Sequence, residues 1–393
     1  MGDPFLSLPG AIEAHGLGAP RHFGAPLVEQ RALESGDAVV SLSHRGVVTV
    51  SGQDRLSWLG SMTSQQIDRL EPGFSAETLL LDPNGRIEHA IRLVDDGERC
   101  WLLVDEGERE SLAAFLTRMR FALRVEVADA SADYAAVAAF DGGSALPALR
   151  GLGLAAAEWR DPWAEVASGG VQYAYGDRPH PGSGWSETQL VFARKDLPAV
   201  AALVASGELR AAGIDALDAL QVRAWRPTVH GEVDERAIPH EFDWLRTAVH
   251  LNKGCYRGQE TVAKVHNLGH PPRRLALLHL DGSGGELPAA GALVYLAGAD
   301  PETRPVGRVG ADTARPVGRV TRTALHHEWG GIALALLKRS VPEDAELEVA
   351  LGDPSAAVAD GNAATGGRIA ATQEVIVPAD AGRTRDIPRL KRI

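Results

Sequence analysis

A change of periodicity near Leu275 limits what this chain can fold into more than any other feature of its sequence. From there on, short apolar runs at Leu275–Leu280, Ala292–Leu296, Ile332–Leu337 and Leu347–Leu351 alternate with Gly/Pro turns, and no helical repeat occurs. That spacing predicts an all-β C-terminal domain, a small barrel. Upstream, strand and helix signals are mixed. Val-rich strands are expected at Ala38–Leu42 and Gly46–Ser51, then a helix N-capped by Asp54 with Leu56, Leu59 and Met62 on its apolar face. Leu79–Leu81 runs into the turn Asp82-Pro83-Asn84-Gly85, and Ile87–Val94 is the return strand. Cys100–Val104 reads as a buried strand; Asp105 and Glu108 have capping-box spacing, and Leu112, Phe115, Leu116 and Met119 mark one helix face. A strand Leu123–Val127 closes the unit. About ninety residues on, the strand Gln189–Ala193, Asp196 and the helix Leu197–Ala205 repeat the plan, which suggests a duplicated α+β half.

The expected organisation is an irregular extension over residues 1–36, two intertwined α+β subdomains over 37–130 and 131–270, a β-barrel over 271–380, and a basic tail over 381–393. Arg304–Val309 and Arg315–Val320 both spell Arg-Pro-Val-Gly-Arg-Val, read as a duplicated β-loop. The net charge of −12 argues against a general nucleic-acid or anionic-membrane binder, so no direct DNA binding is expected. No apolar run reaches the roughly eighteen residues that cross a bilayer, and no basic leader precedes an apolar core, so a cytoplasmic globular protein without membrane contact is expected. Two cysteines, Cys100 and Cys255, cannot make a disulfide framework or a multi-cysteine metal site. His326-His327-Glu328 and His240-Glu241 read as solvated loops rather than ligands, Glu232–Glu235 as an exposed acidic turn, and no metal site is expected. Gly151–Ala156 mimics a dinucleotide fingerprint but lacks the strand that must precede one.

The candidate site is Lys253-Gly254-Cys255-Tyr256-Arg257-Gly258-Gln259-Glu260. Between His250 and Arg274 there are five basic residues (Lys253, Arg257, Lys264, Arg273 and Arg274) and a single acid, Glu260. Such a segment in an acidic chain can attract a small anion. Gly254 and Gly258 permit positive φ or close approach of a ligand, and Tyr256 offers a flat amphipathic surface. Cys255, between two cations, can serve as nucleophile, redox thiol or transient metal ligand, or simply as a small buried hydrophobe. Cys100 is structural.

This octet resembles the signature of the YgfZ-like folate-binding proteins, Lys-Gly-Cys-[Phe/Tyr]-x-Gly-Gln-Glu. Phe23-Gly24, Val47–Asp54 with Leu59 and Thr63, Leu81–Ile87 and Ile238–Glu241 are similar to blocks shared with the glycine-cleavage T-protein, the aminomethyltransferase. The resemblance implies an α+β fold of two related subdomains plus a C-terminal β-barrel around a central cavity that binds tetrahydrofolate. It further implies an accessory role in assembly or repair of iron–sulfur clusters, including those of tRNA-modifying enzymes. Cys255 would be the functional residue. Lys253, Gly254, Tyr256, Arg257, Gly258, Gln259, Glu260 and Arg223 would be cofactor-binding, with Lys253, Arg257 or Lys264 pairing the folate's glutamate tail. Partners would be the folate and iron–sulfur client proteins. Two departures stand out. Arg223-Ala224-Trp225-Arg226-Pro227 occupies the place of Arg-x-Glu-Ala-Gly-x-Pro, and Glu88-His89-Ala90 the place of the transferases' Asp pair. An aminomethyltransferase or other one-carbon transferase is the alternative, which both departures oppose. A binding module for an RNA-modifying partner is a third reading.

Overall fold

The computed structural model describes residues 2–298, 315–352 and 367–384. They form two compact units: residues 2–171 with Pro181–Arg236 and Leu245–Gln259, and Gln172–His180 with Ala237–Trp244 and the described residues from Glu260 onward.

The first unit holds two five-stranded sheets. In one, Ser75–Leu81, Ile87–Asp95, Arg99–Val104, Gly46–Ser51 and Glu126–Asp129 run side by side in that order, every pair antiparallel. Alternate residues of these strands (Val48, Val50, Leu80, Leu93 and Leu102) point to one face. There the helices Arg55–Met62 and Arg109–Met119 cover them with Leu59, Leu112 and Leu116. Each fully buried leucine contributes about 1.5–3 kcal/mol. The other sheet has the order Ala155–Arg160, Thr188–Ala193, Tyr134–Ala139, Ala38–Leu42 and Arg210–Ala211. Phe5 and the helices Ala145–Gly151 and Leu197–Ala205 pack against it. A second cluster, built on Val47, Trp101, Leu103, Trp159 and Val191, joins the two sheets, and Trp159 Nε1 donates to Ala76 O at 2.9 Å.

Most expected elements stand within a residue or two, and the differences have physical causes. The first 36 residues are not irregular: Pro26, its φ already helical, opens the helix Pro26–Glu34, and Asp3 is buried, accepting from Ser41 and Ser43 at 2.6 Å each. Asp54 does not cap its helix through its side chain; its carboxylate is taken by Arg124 at 2.8 Å. The capping box is half made, with Glu108 accepting from Asp105 N at 3.2 Å while the Asp105 carboxylate pairs with Arg92 at 2.9 Å. The strand expected at Leu123–Val127 begins only at Glu126, because Phe121–Arg124 form an exposed turn. Glu232 is buried, accepting from Thr228 N at 2.7 Å, so Glu232–Glu235 is not wholly exposed.

The second unit contains a closed barrel in the order Arg273–Leu280, Gly330–Lys338, Gly318–His326, Leu293–Leu296, Leu347–Ala350 and Arg368–Val375. Ala276, Leu278, Val294, Val320, Ala333, Ala335 and Val349 fill its interior. His240 and Glu241 are buried in the short 3-10 helix Pro239–Phe242, contrary to the expectation of a solvated loop. Glu241 takes a bidentate pair from Arg273, both contacts 2.8 Å, and His240 Nε2 lies 3.0 Å from Val262 O. Arg304–Val309, most of the Gly352–Gly367 loop and the tail from Arg385 lie outside the described residues.

Candidate functional site

The motif forms a loop that enters the helix Gln259–Leu268. Both cysteines are free thiols with opposite settings. Cys100 is buried, its Sγ 3.1 Å from Asp95 Oδ2, and burial followed by that carboxylate pushes its thiol far above the ordinary range. Cys255 is exposed.

Lys253 anchors the Cys255 loop. Its Nζ donates to three backbone oxygens, Gly60 O at 2.5 Å, Thr63 O at 2.6 Å and Gln65 O at 2.8 Å. Those carbonyls sit at the C-terminal end of the helix Arg55–Met62 and just beyond it, where unpaired C=O groups and the helix dipole favour a cation. Burial lowers the ammonium to about 8, with Asp68 opposing. All three donors are spent inside the protein, so Lys253 has none left for a ligand carboxylate, contrary to the expectation that it pairs one. Tyr256 is buried too, its ring 5.3 Å from the Lys253 ammonium, rather than presented as a flat surface. Gln259 Nε2 closes the loop on Lys253 O at 3.2 Å.

The two glycines differ. Gly258 has φ +83°, and a Cβ there would stand 2.6 Å from Asp82 O and 2.9 Å from Gly85 Cα, so the loop needs glycine to lie on that turn. Gly254 has no such need: a Cβ would meet nothing within 4 Å. The expected concentration of free positive charge is reduced, since two of the five cations sit on carboxylates. Arg257 pairs with Glu88 at 2.6 Å, Arg273 with Glu241, and Arg274 is buried on Gln373 at 2.7 Å. Lys264 and Glu260 are exposed, on the helix that follows. Arg223 lies on another helix, Ile214–Arg223, where it pairs with Glu34 at 2.5 Å.

Two features of the first unit escaped the sequence. One is a cleft of about 360 Å³ lined by Gln65, Arg69, Leu70, Glu77, Thr247 and His250 among others. It adjoins the loop through shared residues: Gln65 also receives the Lys253 ammonium, and His250 N donates to Ser64 O at 3.0 Å. The other is a buried charge network behind its wall. Arg226 meets Glu77 and Asp161, each at 2.8 Å, and Thr247 Oγ1 donates to Glu77 at 2.6 Å. The Arg226 and Arg246 guanidiniums lie over the Trp163 ring at 5.0 and 5.1 Å. Burial raises Asp161 to about 6, against the pull of Arg226. Trp225, at the place of the family's Glu, is buried with φ +60°. At the place of the transferases' Asp pair, Glu88 is held by Arg257, and His89 Nδ1 lies 2.9 Å from Glu108 Oε1.

Two α+β sheets and a closed barrel are the fold of the glycine-cleavage T-protein. Over 96% of both chains it superposes on the crystal structure of glycine cleavage system aminomethyltransferase T from Bartonella henselae, with TM-score 0.70 and 17% identity. In sequence, the chain is similar to the aminomethyltransferase of Thermus thermophilus, 27% identical over 345 residues, covering 86% of this chain and 90% of that one. It is also similar to the iron–sulfur cluster assembly factor IBA57 homolog, mitochondrial, of Mycosarcoma maydis, 26% identical over 270 residues and 64% of this chain. The match spans 59% of that relative's length. No family model matches the chain. These similarities bear out the resemblance to the T-protein and YgfZ-like superfamily.

Proposed function

We propose that this protein is a tetrahydrofolate-binding accessory factor for the assembly or repair of iron–sulfur clusters, with Cys255 as its working thiol. The observation that carries the reading is the contrast between the cysteines: one buried on a carboxylate, the other exposed on a loop pinned by the half-buried Lys253. A thiol meant for packing would not be held outward by such an anchor. Similarity to an iron–sulfur cluster assembly factor supports the same direction.

The folate is assigned to the cleft beside the loop. Its lining suits a flat, partly polar ring with an anionic tail: Leu70, Ala76 and Pro162 give apolar walls, and Arg69 and His250 supply basic groups. The bound folate would supply one-carbon chemistry; the chain's own part is to bind and orient it and to hold the thiol in position.

Complementation tests the reading. In cells lacking the protein, activity of a 4Fe–4S enzyme should return with wild type and stay absent with Cys255→Ala, at equal levels of folded protein. Equal rescue by both makes Cys255 structural. The transferase alternative draws on the long match to an aminomethyltransferase. It requires methylenetetrahydrofolate to form from an amine donor, and Trp225 and His89 stand where that chemistry would need acids.

A further inference from the structure

The turn that replaces the expected strand start at Leu123 presents a surface that folding does not explain. Phe121 is 80% exposed and Leu123 43% exposed, in a run of four exposed residues, Phe121–Arg124. Phe121 also has φ +45°, the left-handed region, where a bulky side chain is strained. The molecule thus holds an aromatic side chain in water at a cost to its backbone. Arg118 and Arg120 precede it by three residues and one, both exposed, and neither forms an ion pair among the described residues. Arg124 is neutralised by Asp54.

The surface reaches the Cys255 loop. Phe115, one turn back on the helix Arg109–Met119, carries the Arg118 guanidinium 6.0 Å from its ring and that of Arg257 at 5.2 Å. Arg257 is two residues from Cys255.

We propose that Arg118, Arg120, Phe121 and Leu123 form a docking surface for an acidic protein segment with an apolar centre, seated beside the Cys255 loop. An exposed aromatic anchor with exposed arginines close to it in the chain has the composition of a protein–protein hot spot. Two unpaired arginines in a chain of net charge −12 select an acidic partner locally, while the overall field repels nucleic acid and anionic lipid surfaces. The inference goes beyond the reading of Cys255: it concerns binding, and holds even if the thiol is chemically idle.

The probe is a fluorescein-labelled amphipathic helical peptide of Leu, Ala and Glu, with its Leu, Ala and Lys counterpart as control, titrated with the full-length protein at low salt. The acidic peptide should bind at least tenfold tighter than the basic one, and weaken with salt. Phe121→Ser, and Arg118→Glu with Arg120→Glu, should each weaken it tenfold or more; Cys255→Ala should leave it unchanged. Phe121→Gly separates docking from folding, since glycine relieves the φ strain: it should lose the peptide while its Tm holds or rises. Equal binding of both peptides, binding of neither, or a Tm drop of several degrees in Phe121→Gly overturns the proposal. So does a stronger effect of these variants on binding to single-stranded RNA or to phosphatidylglycerol vesicles.

Discussion

At the residue scale, Lys253 and Cys255 divide the labour of the motif, one inward and one outward. Cys255 should react with iodoacetamide at neutral pH at least a hundredfold faster than Cys100, because alkylation needs an accessible thiolate and Cys100 offers neither access nor ionisation. Peptide mass spectrometry of a time course checks this; comparable rates would remove the reactive-thiol reading. Lys253→Met should cost about 2–3 kcal/mol in urea unfolding, since the aliphatic stem is kept while three carbonyls lose charge-assisted partners. A lysine kept for a ligand would show weaker binding and unchanged stability. The octet was visible in the sequence because its residue types are unusual together. The direction of each side chain was not, since the carbonyls that hold Lys253 come from positions about 190 residues away.

At the scale of elements, the two glycines of the motif make a matched pair. Gly258→Ala should cost about 1–3 kcal/mol, because a Cβ would run into Asp82 O at a positive φ, whereas Gly254→Ala should stay within about 0.5 kcal/mol. Thermal unfolding of the two variants checks the contrast. Strands and helices were legible wherever one face is apolar: Ala38–Leu42, Gly46–Ser51 and Leu197–Ala205 have the bounds read from the sequence. What misled was local chemistry captured by distant partners. Asp54 has the identity of an N-cap, yet Arg124 takes its carboxylate; Asp105 has capping-box spacing, yet Arg92 and Val229 N take its oxygens. The Arg226–Glu77–Asp161 network was invisible for the same reason, its members being scattered over the chain with no shared spacing.

At the scale of the whole molecule, the buried His240 and the half-buried His44 shape the response to acid. Burial lowers both His44 and His240 to about 3, and His240 Nδ1 has no hydrogen-bond partner among the described residues. Below pH 6.5, the ordinary value, the unfolded chain takes up protons that the folded protein refuses, so stability falls as pH drops from there towards about 3. At about pH 5.5 each histidine should subtract on the order of 1 kcal/mol. Urea unfolding at a series of pH values should show the loss, and His240→Gln should remove about half of it, leaving the share of His44; a flat wild-type profile would contradict the assignment. The barrel was the most legible part of the fold, because each of its runs is short, apolar and bounded by turns. Its closure has a consequence for how the protein fails. Arg368–Val375 hydrogen-bonds to Arg273–Leu280 on one side and to Leu347–Ala350 on the other. Proteolysis or a frameshift that strips this one strand therefore uncovers two rows of unsatisfied amides at once, each a template for another chain. The damaged protein is then an aggregation seed rather than a quiet loss of function.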